Sequence, residues 1–192
     1  MRTSLRRMRR CRGGTMNSVI FKLKISQASP EARADLYIKQ FGIKAGSGCR
    51  FFGKVDFGSE PYLISLGNQV MISDDVRFST HDGGMQVLNN MGLLKNADSF
   101  GRIQIGNNVF IGMRVLILKG VTIGDNVVIG AGSVVTKKIP SNSVYAGIPA
   151  RRICSIDDYY KKALPNIDET FGFSPDLKKS YLMAKFDGKR TE

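Results

Sequence analysis

The chain holds a single histidine, His81, so chemistry that needs two imidazoles is excluded at once. Neither a HExxH zinc site nor a three-histidine zinc centre can be built. Cys11, Cys49 and Cys154 are the only cysteines. They lie far apart with no CxxC spacing, which indicates neither a disulfide framework nor a zinc cluster, and no metal ligand is assigned. This cysteine usage fits a reducing, cytoplasmic compartment. Charge is the other pointed feature: residues 99–156 carry Arg102, Arg114, Lys119, Lys137, Lys138, Arg151 and Arg152 against Asp125 alone. Such a stretch welcomes an anion.

With 192 residues, 42% hydrophobic and 23% charged, the chain is long enough to bury one sizeable core and too apolar for wholesale disorder. The net charge of +13 is unevenly placed, since residues 1–14 hold six arginines and no acid. No acid precedes Glu31, no apolar signal core follows the arginines, and no aromatic falls within residues 1–20. A nucleic-acid binder would interleave aromatics with such charges. Residues 1–15 therefore read as a basic disordered or non-native extension ahead of Met16, and no nucleic-acid partner is expected. The longest apolar run, Val127 to Val135, is interrupted by glycine and falls far short of the roughly 18 residues of a membrane span, so stable membrane insertion is not expected.

The elements that must hold His81 and the basic stretch follow from internal repetition. Aliphatic residues recur every six positions as Ile105, Ile111, Ile117, Ile123, Ile129 and Val135. Four residues after each comes a second series, Val109, Val115, Val121, Val127, Ser133 and Ile139. Glycine follows several members of the first series, and turn formers such as Asn107-Asn108 and Asp125-Asn126 come next. This period is neither helical nor simple alternation. It suits short strands joined by tight turns and stacked as a prism, with aliphatics inside and Gly or Asn at the corners. The product is a β-helix. A looser form of the pattern runs through Ile43, Cys49 and Val55 and again through Leu66, Ile72 and Phe78, which makes Cys49 a small core residue.

The repeat stops between Phe78 and Ile103. An insertion in a solenoid must leave the stack as a loop, and residues 79–102 depart at His81. Residues 16–41 read as an N-terminal helical segment in which Ser29 caps a helix begun by Pro30, and residues 42–153 as the β-helix. Residues 154–192 read as a C-terminal helical cap, with helices from Ile156 to Leu164 and from Asp176 to Phe186, the latter capped by Ser174 with Pro175 in its first turn.

The segment from Gly101 to Ile153, GRIQIGNNVFIGMRVLILKGVTIGDNVVIGAGSVVTKKIPSNSVYAGIPARRI, together with FGSEPYLISLGNQVMISDDVRFSTHDGG before it, resembles hexapeptide-repeat acyltransferases of the galactoside and maltose O-acetyltransferase kind. The resemblance implies a mainly β protein built as a left-handed parallel β-helix, a homotrimer with active sites between subunits, and acetyl-coenzyme A as co-substrate. His81 matches the family's catalytic histidine. A neutral imidazole, with an ordinary pKa near 6.5, can take a proton from a sugar hydroxyl as that oxygen attacks a thioester. Asp82, Asn89 and Asn90 are the nearby polar candidates to orient the ring.

For the coenzyme, the matching positions are Met113, Ala131, Ser133, Thr136, Lys137 and Arg151. Small Ala131 and Ser133 would let a pantetheine arm lie along the wall, while Lys137 and Arg151 can pair with phosphates. The sequence departs from the family at Phe110, where many relatives carry Trp, and at Cys154, where some carry a second Arg. The implied reaction is acetyl transfer to a hydroxyl of a sugar or polysaccharide precursor. An N-acetyltransferase acting on an amino sugar is the alternative within the class, and a non-catalytic β-helix scaffold the alternative outside it.

Overall fold

The structure, a computed structural model, describes residues 17–187; the expectation for residues 1–15 lies outside the described residues. The chain divides into two units, Met1–Asp157 and Asp158–Glu192.

The first unit is a three-sided solenoid. One side is the sheet of β1 (Lys44–Ala45), β4 (Ile64–Leu66), β7 (Ile103–Ile105) and β10 (Thr122–Ile123). A second is formed by β2 (Arg50–Phe51), β5 (Met71–Ile72), β8 (Val109–Ile111), β11 (Val127–Ile129), β13 (Ser143–Ala146) and β14 (Arg151–Ser155). The third holds β3 (Val55–Asp56), β6 (Val76–Phe78), β9 (Leu116–Ile117) and β12 (Val134–Val135). Neighbouring strands pair in parallel with residues one coil apart in register, as in Val109↔Val127 and Ile111↔Ile129. The fold is a left-handed parallel β-helix of hexapeptide repeats.

Every member of both aliphatic series from Ile105 to Ile139 is buried at 4% exposure or less. Stacked strands with one inward side chain each leave almost no apolar surface to water, and this burial is the main driving force for the stack. The corners explain the polar half of the repeat. Asn108, Asn126 and Asn142 all adopt left-handed backbone angles, with φ between 52° and 58°, which Asn tolerates better than most residues. Their amides form a ladder, Asn108 Nδ2 donating to Asn126 Oδ1 and Asn126 Nδ2 to Asn142 Oδ1, both at 2.9 Å. Beside it, Asp125 Oδ1 accepts the Asn107 backbone N–H at 2.6 Å and Asn107 Oδ1 accepts that of Asn68 at 2.9 Å. Corner N–H groups with no strand partner are thereby satisfied from the next coil.

Helices α1 (Ser18–Gln27) and α2 (Pro30–Phe41) cover the first coil. Ser29 Oγ accepts the Ala32 N–H at the start of α2, and Gly42, at φ 65°, ends it. Tyr37 is buried against Phe21, Phe51 and Phe57 with ring centroids 5.2–5.9 Å apart. Arg33 is held there by three carbonyls, those of Ile25, Ala28 and Phe51, at 2.8–3.0 Å.

The far end differs from the sequence expectation. Residues 151–153 do not continue the parallel coil: β14 turns back antiparallel onto β13. The reversal is made by Gly147, at φ 100°, followed by Ile148-Pro149. Glycine accepts that angle, and proline has no N–H to offer a further coil.

In the second unit, the chain leaves α4 (Ile156–Ala163), which crosses the boundary, and forms α5 (Pro175–Asp187). Asp168 accepts from the Tyr181 hydroxyl at 2.8 Å and pairs with Lys185. Among the described residues no helix is long and apolar enough to cross a membrane.

Candidate active site

Two departures from an even coil build the site. Strands of the first and second coils pair with an offset of 21 residues, as in Val55↔Val76, because a 3-10 turn at Pro61–Leu63 lengthens the first coil. The second coil then releases the long loop, so the next stacked pair, Phe78↔Ile117, spans its full length. His81 stands at the mouth of that loop. Its backbone bridges antiparallel to Phe100, with the Asp82 N–H donating to the Ser99 carbonyl and the Gly101 N–H to the Thr80 carbonyl, each at 2.9 Å. The two chains of the loop stem thus fix the histidine backbone.

The side chain is fixed from the coil below. Glu60 Oε2 lies 3.1 Å from His81 Nδ1, and Ser59 Oγ lies 3.4 Å from the same nitrogen. Glu60 also accepts from the Thr80 hydroxyl at 2.7 Å. That hydroxyl, with smaller contributions from Ser59 and the imidazole, holds the Glu60 carboxyl below the usual glutamate range, so it is ionised at neutral pH. An ionised carboxylate only accepts, which makes Nδ1 the protonated nitrogen and leaves Nε2 with its lone pair. Among the described residues Nε2 has no partner.

Glu60 was missed in the sequence, and the three polar candidates considered there do not meet the ring. Asp82 accepts the Gly84 N–H at 3.0 Å and faces Lys119, 3.4 Å away, which together lower its carboxyl pKa. Asn89 is spent on both backbone groups of Ala97. Asn90 accepts from Gln86 along α3 (Met85–Asn90). The signal for Glu60 was the coil register, which places it one coil beneath His81.

Beside His81 lies an open cavity of about 330 Å³ lined by Ser59, Glu60, Asp82, Met85, Asp98 and Phe100 among others. The half-exposed Phe100 ring stands edge-on to the imidazole at 6.2 Å. Lys119 ties the stem from the next coil, donating to Ser99 Oγ at 2.5 Å and facing Asp82.

The expected coenzyme positions fall into two groups. Thr136, Lys137 and Arg151 line one groove of about 430 Å³ with Lys138 and Arg152, and no acid shares it. Register carries Thr80, Lys119 and Lys137 up the same corner of the prism, since Phe78, Ile117 and Val135 are stacked partners. Met113 and Ala131 stack on the preceding corner, where the Gly132 N–H donates to the Met113 carbonyl at 2.8 Å and Asp74 lies beneath. The sheet containing β6, β9 and β12 separates the two corners. Ser133 departs from the expectation that it lies along the coenzyme path. It is fully buried, its hydroxyl donating to the Gly130 carbonyl at 2.6 Å and accepting the Gly147 N–H at 3.1 Å. In that position an inward side chain is a core member, so it does not face the outer wall.

Residues 102–137 match the bacterial transferase hexapeptide (six repeats) family. Protein CapG of Staphylococcus aureus is 49% identical over 155 residues, which cover 80% of this chain and 89% of that protein. Galactoside O-acetyltransferase of Escherichia coli K12 is 47% identical over 108 residues, 54% of this chain and 51% of that one. Among solved structures, a maltose O-acetyltransferase from Clostridium difficile superposes with a TM-score of 0.53 at 34% identity, covering 71% of this chain and 81% of its own.

Proposed function

The chain belongs to the hexapeptide-repeat acetyltransferases, and from that premise we propose that it moves an acetyl group from acetyl-coenzyme A to a hydroxyl of a sugar or polysaccharide precursor. His81 Nε2 takes the hydroxyl proton while the sugar oxygen attacks the thioester carbonyl. Collapse of the tetrahedral intermediate breaks the carbon–sulfur bond. The imidazolium returns its proton to the departing sulfur, giving the acetyl ester and free coenzyme A. Glu60 holds the ring in the tautomer that accepts at Nε2 and steadies the imidazolium between the two proton transfers.

The observation that carries this reading is the Glu60–His81 pair set in a cavity, on the corner that continues to Lys137. The basic groove there suits the phosphates of the coenzyme. No nucleophilic cysteine or serine is needed for direct transfer. We also place Met113 and Ala131 in the coenzyme path, contributed across a subunit boundary in a homotrimer, since they occupy the corner opposite His81 on a shared face. The free thiols of Cys49 and Cys154 support the cytoplasm as the place of reaction.

The test is incubation with labelled acetyl-coenzyme A and a panel of sugars, the acetyl position being found by mass spectrometry and NMR. An O-acetyl sugar with stoichiometric release of free thiol supports the reading. Label found only on nitrogen, or no transfer at all, contradicts it.

A further inference from the structure

Helix α1 is apolar on two faces and packed on only one. Phe21 is buried edge-on against Tyr37, and Ile25 is partly buried against the same cluster. Turned the other way, Val19, Ile20 and Leu23 are 63%, 49% and 60% exposed. Consecutive residues of an α-helix are set about 100° apart, so Leu23 lies almost opposite Phe21, and Val19, one turn earlier, stacks on it with Ile20 alongside. The same spacing puts Lys22 and Lys24 to either side of Leu23. The start of the helix is fixed, with Asn17 Oδ1 accepting the Val19 N–H at 3.0 Å and the Asn17 carbonyl accepting that of Phe21 at 2.9 Å. Charge around the stripe has one sign. The first acid of the chain is Glu31, and before it stand Lys22, Lys24 and the six arginines of residues 1–14.

We propose that α1 is a docking surface for an anionic lipid bilayer, on which Val19, Ile20 and Leu23 enter the headgroup boundary while the two flanking lysines and the arginines ahead of them pair with lipid phosphates. A helix that lies in a membrane interface needs an apolar stripe bordered by cations, and the stems of lysines can rest along that stripe with their ammonium groups among the headgroups. Neither part suffices alone. A few aliphatic side chains give marginal binding, and basic residues without them give an attraction that salt removes, so attachment takes both signals. A nucleic acid would match the charge and leave the aliphatic stripe in water, which favours lipid as the occupant. This is attachment to a surface and not insertion, since the ten residues of α1 are too few to span a bilayer. The proposal is independent of the acetyl-transfer reading, and its test needs no turnover.

The chain contains no tryptophan, so Leu23→Trp supplies a single fluorescent reporter on the stripe. The full-length protein is mixed with vesicles of phosphatidylcholine alone, or of phosphatidylcholine with about 30% phosphatidylglycerol to carry negative charge. Reporter emission should move to the blue with the anionic vesicles and stay in place with the neutral ones. In flotation the wild-type protein should bind the anionic vesicles at least about tenfold more tightly. The double variant Val19→Gln/Leu23→Gln should bind them at least about fivefold more weakly. Its melting temperature should be unchanged, because neither side chain is packed and Gln suits a helix. Lys22→Gln/Lys24→Gln, or removal of residues 2–14, should weaken binding and flatten its dependence on salt. Leu177→Gln is the control: Leu177 is 54% exposed but follows Asp176, and its replacement should leave binding unchanged. Equal binding to both vesicles overturns the proposal, as does an equal loss in the Leu177 control. Binding that ignores the double variant also overturns it, leaving only a general attraction to polyanions. A lower molar mass of the double variant by light scattering without vesicles would make the stripe a contact between copies of this chain, and overturns it too.

Discussion

Glu60 and His81 sit on successive coils in the same register, with Oε2 3.1 Å from Nδ1, although the loop that leaves at His81 and the turn that follows Glu60 both interrupt the repeat. The coil lengths deliver the pair to one corner, and Thr80 Oγ1 holds the carboxylate there at 2.7 Å.

Replacing Glu60 by Ala should lower kcat for acetyl transfer by about 10–10³-fold while coenzyme affinity is kept, since the ring loses its tautomer and orientation. Glu60→Gln keeps an acceptor for Nδ1 and should lose less. The sign of the pH effect follows from the charge. The Glu60 pKa is lowered by Thr80 first and by Ser59 and His81 after it, so the carboxylate persists on mild acidification. Glu60→Gln, which cannot gain or lose that proton, should lack the part of the pH dependence that follows the carboxylate. By linkage, whatever stability this carboxylate adds is present above the ordinary glutamate range and is lost as pH falls through its lowered folded pKa. A pH–rate profile of the two proteins checks the direction.

Lys119→Met should free the loop stem at Ser99 and Asp82 without touching the ring. Its partner groups are partly exposed, so the stability cost is about 0.2–1 kcal/mol, a fall of about 1–4 °C in Tm. Hydrogen exchange in residues 82–99 should rise more than in the coils, and kcat should fall several-fold with KM for the coenzyme nearly constant. Unchanged exchange in the loop would show that Lys119 does not hold it.

Lys137→Ala and Arg151→Ala should each weaken acetyl-coenzyme A binding by about 3–10-fold. Both side chains are exposed in the groove, and screened contacts of this kind contribute less than buried ones. Calorimetry on the double variant should show a larger loss and a flatter dependence on salt.

Gly112→Ala should be costly although it adds one methyl group. Its Cβ would lie 2.6 Å from the Ala131 amide nitrogen and 2.8 Å from the Ile129 carbonyl oxygen, and backbone of the next coil cannot yield as a side chain can. A destabilisation of about 1–3 kcal/mol is expected, read as a Tm fall of about 2–12 °C. Gly83→Ala is the control, since a methyl there meets nothing within 4 Å.

The β-helix was legible because its code is strictly local: Ile105 through Val135 repeat at six, and each lands inside the prism. Gly112 shows why the glycines recur, for the next coil passes too close for a side chain. The reversal into β14 carried no such periodic mark, so the sequence alone offered no sign that residues 151–153 turn back on β13. Ser133 occupies an aliphatic position of the repeat, and that position, more than its small polar side chain, decided where it points. His81 stood out by being alone and at the edge of the insertion. Its partner did not, because Asp82, Asn89 and Asn90 are near in sequence while Glu60 is near only through stacking. The coil register across the Pro61–Leu63 turn is what brings Glu60 beneath His81.

The most direct measurement is the rate of acetyl transfer by His81→Ala on an identified sugar, taken with its melting temperature and coenzyme affinity. His81 is 46% exposed and outside the aliphatic stack, so the fold should melt nearly as before and the coenzyme should still bind. Transfer should fall by about 10²–10⁴-fold, the contribution of a general base. A variant that folds, binds coenzyme and transfers acetyl at the wild-type rate would contradict the assignment of His81 as the base.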